Sequence, residues 1–136
     1  MSLFNLKNKS FLITGSSKGI GKSIAFHAAS HGAKVIISSR KIDACKETAD
    51  EINKQLGSEL AYPIAGNIAH ESELINLVDE TNKQLGKIDV LICNAATNPF
   101  MGSMADIPSD AFDKVMNNNI KANHICLLYT SPSPRD

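Results

Sequence analysis

The chain lacks an excess of charge of either sign. Its fourteen lysines and arginines balance fourteen aspartates and glutamates. No global field therefore recruits nucleic acid or an anionic membrane, and any phosphate recognition must be local. It also lacks a disulfide or metal framework. Cys45, Cys93 and Cys126 show no Cys-x-x-Cys or ligand-type spacing, and their odd number fits a reduced, cytoplasmic protein. His27, His31, His70 and His124 share no ligand spacing either, so no metal site is expected. No apolar run approaches the ~18–20 residues needed to cross a bilayer. Met1 to Ser10 is polar, without a signal-peptide core, and there is no internal repeat. What remains is an ordinary globular composition, 43% apolar and 21% charged over 136 residues, long enough for one domain with a real core.

Short apolar runs alternate with segments of helical period. Ser10 to Thr14 reads as a buried strand ending at Gly15. Ile20, Ile24, Ala25, Ala28 and Ala29 share a helical face that closes at Gly32. Lys34 to Ser38 is a second strand. Cys45, Ala49, Ile52 and Leu56 mark a second helix, closed by Gly57. Leu60 to Ala65 is a weaker strand containing Pro63. Leu74, Leu77, Val78 and Leu85 form a third helix stopped by Gly86, and Ile88 to Cys93 is the most apolar strand. Pro108 opens a fourth helix with Phe112, Val115, Met116 and Ile120 on one stripe. Strands without alternation imply a sheet buried on both faces. The βα order implies an α/β, doubly wound, Rossmann-like parallel sheet with its ligand at the carboxyl ends of the strands.

The loop after the first strand is Thr14-Gly15-Ser16-Ser17-Lys18-Gly19-Ile20-Gly21. Gly15 suits the positive φ of a tight turn. Gly19 and Gly21, without Cβ atoms, are expected to let a diphosphate approach the N–H groups at a helix N-terminus, where the dipole favours anions. A competing pattern overlaps it: Ser16 to Ser23 falls one residue short of the phosphate-wrapping G-x-x-x-x-G-K-[ST], with Ser16 in place of the first glycine. No strand ends in an aspartate that would hold Mg²⁺, because Asn94 follows Cys93. That loop makes a phosphotransferase a distant alternative.

The T-G-x-x-x-G-I-G spacing resembles the cofactor motif of the short-chain dehydrogenase/reductases. The resemblance implies an oxidoreductase that interconverts a carbonyl and an alcohol with a nicotinamide dinucleotide held by Gly15, Ser17, Lys18, Gly19, Ile20 and Gly21. In such a sheet an acid at the end of the second strand binds a ribose 2′-OH, whereas an arginine accommodates a 2′-phosphate. Here Ser38-Ser39-Arg40-Lys41 stands there, with no acid before Asp43. Ser39, Arg40 and Lys18 therefore point to NADP(H) rather than NAD. Asn67 and Ile68 occupy the family's Asp-Val-like pair beside the adenine, with Asn67 departing from the acid. Asn94, Ala95 and Ala96 resemble its Asn-Ala-Gly segment, with Ala96 replacing glycine. The stretch through Thr97, Asn98 and Pro99 is similar to the carbonyl and retinal reductase branch. Asn119 matches the asparagine whose side chain disrupts the fourth helix and supports a proton relay. The run Asn117-Asn118-Asn119 is itself costly in a helix.

The family's working Tyr-x-x-x-Lys is missing: Tyr62 and Tyr129 are followed four residues later by Gly66 and Ser133. Cys126 to Asp136, where two of the five prolines fall in the last five residues, resembles one translated frame of a transposase sequencing adapter. The expected organisation is thus a partial NADP-binding domain over 1–125, truncated after the fourth βα unit, and a non-native tail over 126–136. Such a piece is expected to show no turnover. The resemblance implies that the whole protein acts on a small carbonyl or alcohol, commonly as a homo-oligomer. A non-catalytic NADP-binding sensor of the same fold is the alternative.

Overall fold

The computed structural model describes residues 3–97 and 100–131; Asn98, Pro99 and residues 132–136 of the tail lie outside the described residues. Four strands, β1 (Ser10–Thr14), β2 (Lys34–Ser38), β3 (Ala61–Pro63) and β4 (Val90–Ile92), form one parallel sheet in the order β3-β2-β1-β4. The helices are α1 (Gly19–Ser30), α2 (Ile42–Leu56), α3 (Glu71–Leu85), α4 (Ser109–Met116) and α5 (Ala122–Thr130). A π-helical turn over Asn117–Lys121 joins the last two.

Successive side chains of the central strands feed opposite layers, as the pleat requires. Phe11, Ile13, Val35 and Ile37 pack under α1 and α2 against Ala25, Ala28, Ala29, Cys45, Ala49 and Ile52. Leu12 and Ile36 turn the other way, onto Leu77 and Val78 of α3. On that side α5 rests on α3 through Leu74, Ala122, Ile125 and Cys126. Gly57 and Gly86 end α2 and α3 in left-handed conformations at φ 66° and 79°, where an L side chain is strained. The chain runs outward from β1 through β2 to β3, then returns past β1 to β4. That reversal opens a crevice at the carboxyl ends of β1 and β4. The α/β doubly wound reading holds.

Three expectations change. β3 is shorter than Leu60–Ala65, and Pro63 lies inside it. This is tolerated because β3 is an edge strand that leaves the proline ring no ladder partner to displace. β4 is also an edge strand, and its three residues are only partly buried. It is shorter than the expected Ile88–Cys93. The fourth helix differs most. Phe112, Met116 and Ile120 are 43%, 44% and 59% exposed, and the buried positions are instead Asn118, Ala122, Ile125 and Cys126. The helix continues through Thr130, past the expected end near 125, because nothing before Ser131 breaks it. Its periodicity marked an apolar face without identifying what covers it.

One carboxylate aligns β1 and β4 at their amino ends. Asp89 Oδ2 accepts from the Ser10 amide at 2.8 Å and from Lys87 Nζ at 3.1 Å, while the Asp89 amide donates to the Ser10 carbonyl at 2.9 Å. The Ser10 N–H, followed by Lys87, holds the Asp89 carboxyl below its ordinary range. A folded-state value below the unfolded one gives stability that is present above the ordinary carboxylate pKa. It is lost as pH falls through the lowered one. Asp89→Asn should therefore flatten the acid limb of the stability–pH curve while leaving the neutral region's slope unchanged. Urea melts of both proteins from pH 7 down to pH 3 check this.

Candidate functional site

The crevice at the carboxyl edge of the sheet has a volume of about 470 Å³. Its walls bring together segments far apart in sequence: Gly15, Ser17, Lys18 and Gly19 after β1, Ser39 and Arg40 after β2, Ile68 after β3, and Asn94 to Thr97 after β4. Among the described residues, no carboxylate lines it. A second cavity, about 540 Å³, lies between the N-terminal segment and α1 and is mostly apolar. It sits away from the strand ends and gathers none of the expected residues.

The glycine loop owes its shape to both sides of the sheet. Gly15 and Gly19 take positive φ, 66° and 62°. Ser16 is fully buried, its hydroxyl donating to the Ile13 carbonyl at 2.7 Å and accepting from the Ser38 amide at 2.8 Å. That bracing ties β1 to β2 and holds Ser16, which stands where the phosphate-wrapping pattern has its first glycine, inside the protein. From α2, Thr48 Oγ1 donates to the Ser17 carbonyl at 2.6 Å and pins the loop from outside. α1 then begins with no side-chain cap and no acid in its first turn. The N–H groups of Ser17, Lys18, Gly19 and Ile20 find no protein acceptor among the described residues. Uncapped amides at a helix N-terminus, beside Lys18, form an anion cradle.

The two later glycines divide the labour that the sequence assigned to both. A Cβ on Gly19 would meet nothing within 4 Å, so Gly19 faces the open crevice. A Cβ on Gly21 would lie 2.4 Å from the Gly15 carbonyl oxygen and 2.6 Å from Asn94 Nδ2. Gly21 therefore permits close packing of α1 on the strand ends rather than approach of a diphosphate.

Across the crevice, Asn94 is a clasp. Its Nδ2 donates to the carbonyls of Thr14 and Gly15 at 3.2 and 2.9 Å. The amides of Asn94 and Ala95 both donate to Thr14 Oγ1 at 3.1 Å. Thr14 and Thr97 stand in motifs quoted from the sequence without a role of their own, and Thr48 in none, because a threonine beside a strand or on a helix face carries no signal of its partner. Thr14→Val removes the shared acceptor at nearly constant shape and leaves two amides unpaired. A loss of about 1–3 kcal/mol is expected, read as a lower urea midpoint at unchanged slope.

Arg40 and Lys18 are both exposed on the crevice wall. Ser39 is less available than expected: its hydroxyl already contacts Cys45 Sγ at 3.2 Å. Ile20 is 75% exposed at the start of α1 and outside the crevice lining. Asn67 lies in an adjoining pocket with Ile68, and its Oδ1 accepts from the Ala69 amide at 2.9 Å in a side-chain-closed turn. Asn119 sits in the π turn, where the Ala122 amide reaches back five residues to the Asn117 carbonyl. Both ends of its side-chain amide grip Thr97: Oδ1 accepts from the Thr97 amide and Nδ2 donates to the Thr97 carbonyl, each at 2.8 Å. Burial disfavours the thiolate form of Cys93 and Cys126. It pushes both thiols up, Cys126 to about 11 with Cys93 adding to the effect.

A parallel sheet reversing at β1/β4, with a glycine turn feeding an uncapped helix N-terminus, defines a dinucleotide-binding protein of Rossmann type. The family profile described as short chain dehydrogenase matches residues 9–132, and the chain belongs to that family. It is 38% identical over 120 residues to dehydrogenase/reductase SDR family member 4 of Bos taurus, covering 86% of this chain and 41% of that protein. Hydroxysteroid dehydrogenase of Escherichia coli superposes with a TM-score of 0.86 at 33% identity, covering 95% of this chain and 53% of the other. Pseudomonas aeruginosa RhlG in an NADP active-site complex does so at 0.84 with 28% identity, covering 93% and 48%. The chain spans about half the length of the proteins it matches. Among the solved structures it matches, RhlG is complexed with NADP and the 3-ketoacyl-(acyl-carrier-protein) reductase of Brucella melitensis with NADH.

Proposed function

We propose that this chain is the NADP(H)-binding half of an oxidoreductase that interconverts a carbonyl and an alcohol on a small molecule. One observation carries the reading: among the described residues, amides without an acceptor at the start of α1 share a crevice with Lys18 and Arg40, and no carboxylate lines it. The amides of Ser17 to Ile20 would hold the diphosphate, and Gly19 leaves room for it. Lys18 and Arg40 would face a 2′-phosphate. Ile68 would flank the adenine in the adjoining pocket, with Asn67 shaping the turn beneath it. Bound there, the dinucleotide would supply or accept the hydride. Asn119 holds the 94–97 loop against the crevice through Thr97, and we assign it that positioning role toward the proton relay. This chain itself carries no Tyr-x-x-x-Lys to complete that relay. The same reading makes the working protein a cytoplasmic homo-oligomer and leaves 126–136 foreign to it, a point that sequencing the source locus decides.

Titration of the ¹⁵N-labelled chain with NADPH tests the site. Shifts concentrated at Gly15 to Gly21 and at Ala95 to Thr97 are expected. A spectrum that moves only around the cavity by α1 and the N-terminal segment would contradict the assignment.

A further inference from the structure

The asparagine run does more than interrupt a helix. Asn118 is only 4% exposed, and a buried amide is costly unless its bonds are made. Its Nδ2 donates to Thr97 Oγ1 at 3.2 Å, and its Oδ1 accepts from Asn117 Nδ2 at 3.1 Å. Asn117 Nδ2 also donates to the Ala69 carbonyl at 3.2 Å. A continuous polar chain, Ala69–Asn117–Asn118–Thr97, thus spans from the loop after β3 to the loop after β4.

These two loops bound a pocket of about 380 Å³, lined by Arg40, Asn67, Ile68, Ala69, Thr97, Lys114 and Asn118. The pocket shares Arg40, Ile68 and Thr97 with the phosphate crevice. A base carried on the same ribose as a phosphate at Arg40 has this pocket as its neighbouring space. The separation of Ala69 and Thr97 therefore sets how well a planar base is gripped. Asn119 fixes the backbone of Thr97 and, among the described residues, makes no bond to the β3 loop. Among the described residues, the polar link across runs through Asn117 and Asn118.

We propose that Asn118, braced by Asn117, is a positioning residue that sets the width of the base pocket. It thereby sets affinity for the adenine end of the dinucleotide without altering the phosphate cradle. The proposal rests on the cofactor reading above.

The test uses the full chain and two probes, adenosine 2′,5′-bisphosphate for the adenine end and inorganic pyrophosphate for the cradle. Thr97→Val and Asn118→Leu should each weaken the adenosine bisphosphate about five- to tenfold, the equivalent of one lost hydrogen bond. The double variant should be no weaker than Asn118→Leu alone, because the bond that Thr97→Val removes is already lost there. Pyrophosphate binding should stay within twofold. Thr97→Ser, which keeps the hydroxyl, should bind like the unmutated chain, and the Thr97 pair alone decides the matter if Asn118→Leu does not fold. Equal losses for both probes would reduce Asn118 to a general structural role and overturn the proposal, as would additive losses or unchanged binding by Thr97→Val. An unmutated chain that ignores the adenosine bisphosphate overturns the cofactor reading and this proposal together.

Discussion

Gly21→Ala should unfold the carboxyl edge of the sheet, whereas Gly19→Ala should leave the fold standing and empty the site. The added Cβ at Gly21 lies 2.4 Å from the Gly15 carbonyl oxygen and 2.6 Å from Asn94 Nδ2. Neither neighbour can yield cheaply. The oxygen belongs to a backbone turn at φ 66°, and the amide is held by the Thr14 and Gly15 carbonyls. Relief requires lifting α1 off the strands, which breaks the clasp between the β1 and β4 loops. Overpacking of a well-packed site costs about 1–3 kcal/mol, and the broken clasp brings the expected loss to ~3 kcal/mol or more. That is a large part of the ~5–15 kcal/mol by which a domain is stable. At Gly19 there is no clash, and only the left-handed backbone at φ 62° resists a side chain, at about 1–2 kcal/mol. Its methyl group would occupy the anion cradle instead. Urea melts and NADPH titrations on both variants separate the two effects. A Gly21→Ala melt within about 1 kcal/mol of the parent would contradict the packing role given to that glycine.

Arg40→Ala should erase most of the preference for NADPH over NADH. A hydrogen bond to a charged group is worth about 1.5–3 kcal/mol. Arg40 and Lys18 are both exposed, so solvent screening holds the effect toward the lower end. NADPH affinity should fall about tenfold with NADH affinity nearly unchanged. Lys18→Ala should weaken both cofactors, because in the proposed reading its ammonium would stand beside the shared diphosphate as well as the 2′-phosphate. Parallel losses for both cofactors on replacing Arg40 would place the 2′-phosphate elsewhere.

The sheet was legible in the sequence because Phe11 to Ile13 and Val35 to Ile37 are unbroken apolar runs. In this fold only strands covered on both faces are built that way. Helix ends were legible because Gly57 and Gly86 are needed where the backbone turns left-handed. The glycine loop could be placed for the same reason at Gly15, which answers a backbone demand that other residues meet poorly; that Gly19 answers one too shows only in its φ of 62°. What stayed hidden depends on partners remote in sequence. Gly21 and Gly19 look alike as letters, and only the 2.4 Å approach to Gly15 distinguishes packing from ligand access. The cost of three consecutive asparagines could be read, but not that Asn118 and Asn119 divide Thr97 between side chain and backbone. Phe112, Met116 and Ile120 showed an apolar stripe, yet periodicity cannot say that the stripe stays largely exposed.

The central claim is that the crevice at the ends of β1 and β4 selects a 2′-phosphorylated dinucleotide. Calorimetric titration of the unmutated chain with NADPH and with NADH, at one ionic strength, measures it directly. The structure predicts that NADPH binds about ten- to a hundredfold more tightly. Equal affinities, or tighter binding of NADH, would contradict it.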